Sequence, residues 1–139
     1  MQANNPPTES IKVNVVAGVV LRQGDKFLML EQAKASAKGQ WGLPAGKIQT
    51  GETAEDAAIR ETKEECGFDV TLIKELGVYH PKLTGPVKHI FLAEIAGGEL
   101  ELDPVEIASS AWLTLGEVDV LKDKLRDSSI YAALLATAE

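Results

Sequence analysis

The chain has 139 residues, of which 45% are hydrophobic and 25% charged, so it has the size and composition of one soluble globular domain. It carries 14 Lys and Arg against 21 Asp and Glu, a net charge of −7, which disfavours binding to nucleic acid. One cysteine excludes an internal disulfide, and two histidines make a zinc cage a poor expectation. With no long apolar run and no leader pattern, we expect a cytoplasmic protein without a membrane span.

Hydrophobic periodicity and turn residues divide the chain into a short tail and one domain. Residues 1–10 are polar, contain two prolines and are predicted to be a disordered tail, and residues 11–139 are predicted to form the domain. We predict strands at 11–22 and 27–31, a surface loop at 33–40, a helix at 53–66, strands at 70–78 and 87–95, a break at glycines 97–98, strands at 99–102 and 107–113, and helices at 115–122 and 128–137. This order predicts an α/β or α+β sandwich.

The helix at 53–66 has the clearest boundaries in the sequence. Thr53 is suited to cap its N-terminus, with Asp56 three residues later, and Gly67 stands where a left-handed residue commonly ends a helix.

One face of this helix concentrates carboxylates. At 100° per residue, Glu61, Glu64 and Glu65 fall within an arc of about 100°. Like charges at these spacings repel, and only Glu64 has a basic neighbour, Arg60, one turn away. A divalent cation such as Mg²⁺, which takes oxygen ligands and is often shared with substrate phosphates, would relieve the repulsion. The alternative is a solubilising charge run, or glutamates paired with basic side chains elsewhere in the fold.

These glutamates belong to a longer motif: Gly46, five residues, Glu52, seven residues, and then the run Arg-Glu-Thr-Lys-Glu-Glu-Cys-Gly-Phe at 60–68. The motif resembles the signature of the Nudix hydrolase family, Gly-x5-Glu-x7-Arg-Glu-U-x-Glu-Glu-x-Gly-U, where U is a bulky apolar residue. Every fixed position is matched, and Thr62 at the first U position is the one departure. The resemblance implies an α/β/α sandwich with a mixed β-sheet and a loop–helix–loop catalytic motif.

The resemblance also implies roles for these residues. Glu61, Glu64 and Glu65 would be ligands of Mg²⁺, with Mn²⁺ as a substitute, and Gly46 would bring its backbone close to the metal and donate a carbonyl. Arg60 would orient carboxylates through hydrogen bonds, Glu52 among them. The reaction would be attack of water on a diphosphate linkage of a small nucleotide.

The family often uses one more carboxylate, as a base or a metal ligand, at a variable position outside the motif. Two candidates follow from the predicted strands: Glu94 near the end of the strand at 87–95, and Glu106 just before the strand at 107–113. A glutamate of the motif itself, Glu61, Glu64 or Glu65, is the third possibility for the base.

The motif does not specify the substrate. ADP-ribose or a nucleotide sugar is the preferred expectation, because the run Leu-Pro-Ala-Gly at 43–46 and the modest length are similar to such family members. A nucleoside triphosphate pyrophosphatase is the alternative, and a non-catalytic nucleotide sensor is a third reading, which the intact set of glutamates disfavours. Family members are often homodimers.

Overall fold

Strand β1 (Val15–Gln23) runs through the middle of the sheet in the computed structural model, which describes residues 14–138. The remaining elements are β2 (Lys26–Gln32), β3 (Trp41–Gly42), β4 (Ala45–Lys47), α1 (Ala54–Cys66), β5 (Phe68–Tyr79), β6 (Val87–Gly98), β7 (Ile107–Thr114), α2 (Leu115–Val120) and α3 (Ser128–Ala136). The predicted tail at 1–10 and the start of the first predicted strand, residues 11–13, lie outside the described residues.

The sheet is mixed, as expected. Its main order is β3-β2-β1-β6-β5, with β1 and β6 parallel and the other neighbours antiparallel. The second edge of β1 is shared, because residues 16–18 pair with β4 whereas residues 22–23 pair with β2. Strand β7 pairs along β2. The short pairing of β4 with β1 fixes residues 45–47 beside the start of β1.

Apolar side chains cover both faces of β1, as its sequence predicts. Ala17, Val19 and Leu21 pack with α1 on one face, whereas Val20 packs with α2 and α3 on the other. Strand β6 divides its side chains in the same way, because successive residues of a strand point to opposite faces. Helices on both sides of a mixed sheet make the α/β/α sandwich that was expected. No helix within residues 14–138 has the length and apolar character needed to cross a membrane.

Helix α1 confirms the boundaries predicted from its sequence. The Thr53 hydroxyl accepts a hydrogen bond from the Asp56 N–H at 3.0 Å. Gly67 has φ +86°, and its N–H donates to the Lys63 carbonyl at 3.0 Å. The unusual Thr62 is fully buried, and its hydroxyl donates to the Ala58 carbonyl at 2.8 Å. Its polar group is therefore satisfied inside the helix.

The predictions for residues 97–102 are wrong. Strand β6 continues through both glycines, and Gly98 pairs with Phe68. The following segment, 99–102, is irregular and forms no strand. Its backbone is held by the end of α1 instead, because the Glu101 N–H donates to the Cys66 carbonyl at 2.8 Å. A residue alternation typical of a strand was overridden here by free carbonyls at a helix C-terminus.

The predicted surface loop at 33–40 is more ordered than expected. It contains a short 3₁₀ helix at Ala35–Ala37, and Ala37 is buried. Two backbone hydrogen bonds join the ends of the loop to each other. The Gln32 N–H donates to the Gln40 carbonyl (2.9 Å), and the Gly39 N–H donates to the Gln32 carbonyl (3.1 Å).

Gly67→Ala should destabilise the protein strongly. A Cβ at this residue would lie 2.3 Å from the Glu99 carbonyl oxygen, so a steric clash adds to the unfavourable positive φ. Gly39→Ala is the matched control, because Gly39 has φ +82° and open space around the same position. Urea unfolding should show a loss of about 1–2 kcal/mol for Gly39→Ala and a larger loss for Gly67→Ala. Equal losses would contradict the packing of Gly67 against residues 99–101.

Candidate active site

A cleft of about 680 Å³ opens at the end of the sheet where β1 and β6 begin. Both charge signs line it. The acidic residues are Glu61, Glu64, Glu65, Asp103, Glu106 and Asp127, and the basic residues are Lys34, Lys47, Lys82, Lys88 and Arg126. A cavity of this size that is lined by several cations as well as carboxylates is suited to a small anionic ligand.

Strand β4 holds the glutamates of α1 at the floor of this cleft. The Ala45 N–H donates to Glu65 Oε1 at 3.0 Å. Gly46 lies so close to Glu61 that a Cβ on this glycine would be 2.1 Å from the Glu61 carboxyl carbon. Any larger residue at this position would displace Glu61, which explains why the motif needs a glycine here.

Arg60 lies outside the cleft and orients the carboxylates through hydrogen bonds. Its Nε and Nη2 form a bidentate pair with Glu52, at 2.6 and 3.0 Å. Its Nη1 donates to Glu61 Oε2 at 2.9 Å and to Glu64 Oε1 at 3.1 Å, and Nη2 also reaches the Lys47 carbonyl at 3.0 Å. The structure thus contains the hydrogen bonds between Arg60 and Glu52 that the resemblance implies. Neither of these two residues lines the cleft itself.

The environment perturbs the acidity of three glutamates differently. Burial raises the pKa of Glu65 to about 8 against the opposing bond from Ala45, and the nearby Glu61 and Glu106 charges raise it further. Burial also raises the pKa of Glu61, although Arg60 opposes the shift. Glu52 behaves oppositely, because its hydrogen bonds from Arg60 lower its pKa. Ionisation of the two glutamates at the cleft floor therefore has an energetic cost, which a cation in the cleft would reduce.

The structure separates the two candidates for an outer carboxylate. Glu106 lines the cleft, and its charge acts on both Glu61 and Glu65. Glu94 does not reach it. This residue pairs with Thr71 of β5 and is exposed, six residues along β6 from the cleft residue Lys88 and thus about 20 Å away. The expectation that Glu94 binds metal is therefore not supported by its position.

The donor set fits a hard divalent cation, although the side chains are not yet gathered around one point. Carboxylates supply the oxygen ligands that such ions prefer, and the close approach of Gly46 leaves backbone near Glu61. Within residues 14–138, however, no three acidic, histidine or cysteine side chains are arranged as a finished metal site. One reason that these carboxylates do not converge on a single point is that Arg60 pairs with Glu61 and Glu64.

A comparison with protein-family models matches residues 12–134 to the NUDIX domain. The chain belongs to the NUDIX domain family. The resemblance read from Gly46, Glu52 and the run 60–68 is thereby confirmed, together with the Nudix-type fold class.

Three curated proteins are similar in sequence to this NUDIX domain. It is 34% identical over 116 residues to a putative nudix hydrolase 1 of Caenorhabditis elegans, which covers 81% of this chain and 32% of that protein. It is 32% identical over 100 residues to a putative 8-oxo-dGTP diphosphatase of Bacillus subtilis, with coverage of 72% and 65%. It is 34% identical over 86 residues to an ADP-ribose pyrophosphatase of Methanocaldococcus jannaschii, with coverage of 59% and 51%. The matched region spans from about a third to about two thirds of these relatives.

Several residues of the cleft were not predicted from the sequence. Lys88 of β6 pairs with Asp127, which also caps α3 by accepting from the Ser129 N–H at 2.9 Å. Burial raises the pKa of Asp127, but the bonds from Lys88 and Ser129 lower it overall. Arg126 reaches toward Gln32 at 3.5 Å. Lys88 and Asp127 are 39 residues apart, so no local sequence pattern connects them. The one local signal is that Asp127 stands just before the last helix, where an aspartate is a typical N-cap.

The pH dependence of stability tests the burial of Glu65. Its pKa is about 8 in the folded chain and near 4.5 when unfolded, so the folded state holds a proton that the unfolded state releases between these values. The free energy of unfolding in EDTA should therefore fall as pH rises from 5 to 8, with a slope of up to about 1.4 kcal/mol per pH unit from this group. Glu65→Gln should flatten this dependence on pH. If urea unfolding at several pH values gives the same slope for the variant and the wild type, the assignment of the slope to Glu65 is wrong.

Proposed function

We propose that this NUDIX domain is a Mg²⁺-dependent hydrolase that cleaves the diphosphate linkage of a nucleoside diphosphate derivative. The observation that carries the proposal is the pair of carboxylates held against β4, the buried Glu65 and the half-buried Glu61, in a cleft that also presents lysines. Ionising both carboxylates side by side is unfavourable without a cation, and a cation bound there would face a phosphate-bearing ligand.

Each residue of the motif has a part in this proposal. Glu61, Glu64 and Glu65 would hold the ion, with the Gly46 carbonyl as a further ligand, and Glu52 would keep Arg60 behind them. When bound, the ion supplies positive charge that neutralises the diphosphate and promotes ionisation of water. Because Arg60 already pairs with Glu61 and Glu64, it can keep both oriented as they turn toward the cleft.

Glu106 is the carboxylate that we assign as the general base. As a water molecule attacks one phosphorus, the water would give a proton to the Glu106 carboxylate. The bond between that phosphorus and the bridging oxygen would break, and the other phosphate would leave. The support is positional: this side chain lines the cleft and acts electrostatically on Glu61 and Glu65. Lys47 and Lys82 also line the cleft and are suited to contact the phosphates.

The substrate proposal is a small nucleotide, with ADP-ribose or a nucleotide sugar preferred. The named activity of the Methanocaldococcus jannaschii relative agrees with this preference. The named activity of the Bacillus subtilis relative favours the alternative, a nucleoside triphosphate pyrophosphatase. A net charge of −7 argues against nucleic acid as the physiological ligand. The cytoplasmic setting and a homodimer remain predictions.

Product analysis with a nucleotide panel tests the proposal. The panel contains ADP-ribose, nucleotide sugars, dinucleoside polyphosphates, and normal and oxidised nucleoside triphosphates, each with Mg²⁺ and with excess EDTA. We expect a nucleoside monophosphate from a preferred substrate and no product in EDTA. Binding of a nucleotide that stays intact with Mg²⁺ present would support the sensor reading instead.

Glu65→Gln should lower turnover by at least about 100-fold, because loss of a direct metal ligand should cost no less than loss of an outer hydrogen bond. Glu55→Gln is the matched control: Glu55 lies in the first turn of the same helix, is exposed and does not line the cleft. The control should retain wild-type turnover. Full activity of Glu65→Gln with normal folding would contradict the placement of the metal.

A further inference from the structure

The turn that carries Glu106 is fixed to the end of α1. The Asp103 N–H donates to the Glu65 carbonyl at 3.0 Å, and the Ile107 N–H donates to the Asp103 carbonyl at 2.8 Å. The Asp103 side chain closes the turn by accepting from the Val105 N–H at 2.9 Å. These bonds fix where the Glu106 side chain begins, but they leave its torsion angles free.

Lys34 fixes the other end of that side chain. Its Nζ lies 2.6 Å from Glu106 Oε2, and the two side chains are 57% and 34% exposed. The backbones are joined as well, because the Ala33 N–H donates to the Glu106 carbonyl at 2.9 Å. The hydrogen bond and charge of Glu106 raise the pKa of Lys34, so the lysine is held in its charged form.

Glu106 shares the cleft with further carboxylates, among them those of Glu61 and Glu65. Wherever these groups are ionised they repel Glu106, because like charges in one cleft are poorly screened. The Glu106 side chain is partly exposed, so its ion pair with Lys34 restricts a group that has room to turn toward solvent. An exposed ion pair contributes little to folding, so orientation is the larger effect of this contact.

We propose that Lys34 is a positioning residue for the hydrolytic reaction, which holds Glu106 facing the cleft. The inference rests on the proposed function, since it concerns the same site. Lys34 itself lines the cleft, and we assign its effect on the reaction to Glu106 and not to contact with the substrate.

The test is a double-substitution cycle measured on the preferred substrate, with Lys34→Met, Lys34→Arg, Glu106→Gln and the double variant Lys34→Met/Glu106→Gln. We expect Lys34→Met to lower kcat by about 10-fold to 100-fold, as for other small misplacements of a reacting group, with KM changed less than twofold. Lys34→Arg should recover most of the loss. The double variant should be no slower than Glu106→Gln alone.

Lys38→Met is the control, because Lys38 follows the same 3₁₀ helix, is exposed and lies outside the cleft. It should behave as wild type, and all variants should unfold at similar urea concentrations. The proposal is overturned if Lys34→Met leaves kcat unchanged, if it raises KM alone, or if its effect multiplies with that of Glu106→Gln, since the last two results would make Lys34 a substrate ligand. A wild-type protein that cleaves no panel member overturns the proposed function itself, before any variant is compared.

Discussion

The bidentate pair between Arg60 and Glu52 fixes the guanidinium on which the positions of Glu61 and Glu64 depend. Arg60 Nη1 then orients Glu61 and Glu64, and Nη2, already bonded to Glu52, also donates to the Lys47 carbonyl. One cation thus lies among three carboxylates, which lowers their mutual repulsion before any ion binds. A lysine could not replace it, because a single ammonium cannot span this planar set of acceptors.

The fold delivers these groups to one place through two short contacts. Pairing of β4 with the start of β1 brings Ala45 and Gly46 under α1, and the segment after β6 returns across the helix end to present Glu106. Both contacts use backbone groups that a helix end or strand edge leaves available. The same architecture explains why Glu94, on the far part of β6, cannot take part.

The sequence predicted most of what depends on local periodicity. Helix α1 and its caps followed from Thr53 and Gly67, and the cover on both faces of β1 followed from its apolar pattern. The irregular segment at 99–102 was missed because its partner is the Cys66 carbonyl, distant in sequence. The pairings of Lys34 with Glu106 and of Lys88 with Asp127 were unreadable for the same reason. The roles of the motif glutamates stay predictions.

The most direct test of the account is the anomalous scattering of Mn²⁺ in crystals of the wild-type protein. We expect a peak in the cleft with carboxylate oxygens of Glu61 and Glu65 at about 2 Å, the usual distance for this class of ion, and with Arg60 still paired to Glu52. A peak elsewhere in the cleft, or no peak at millimolar Mn²⁺, would contradict the claim that α1 holds the metal.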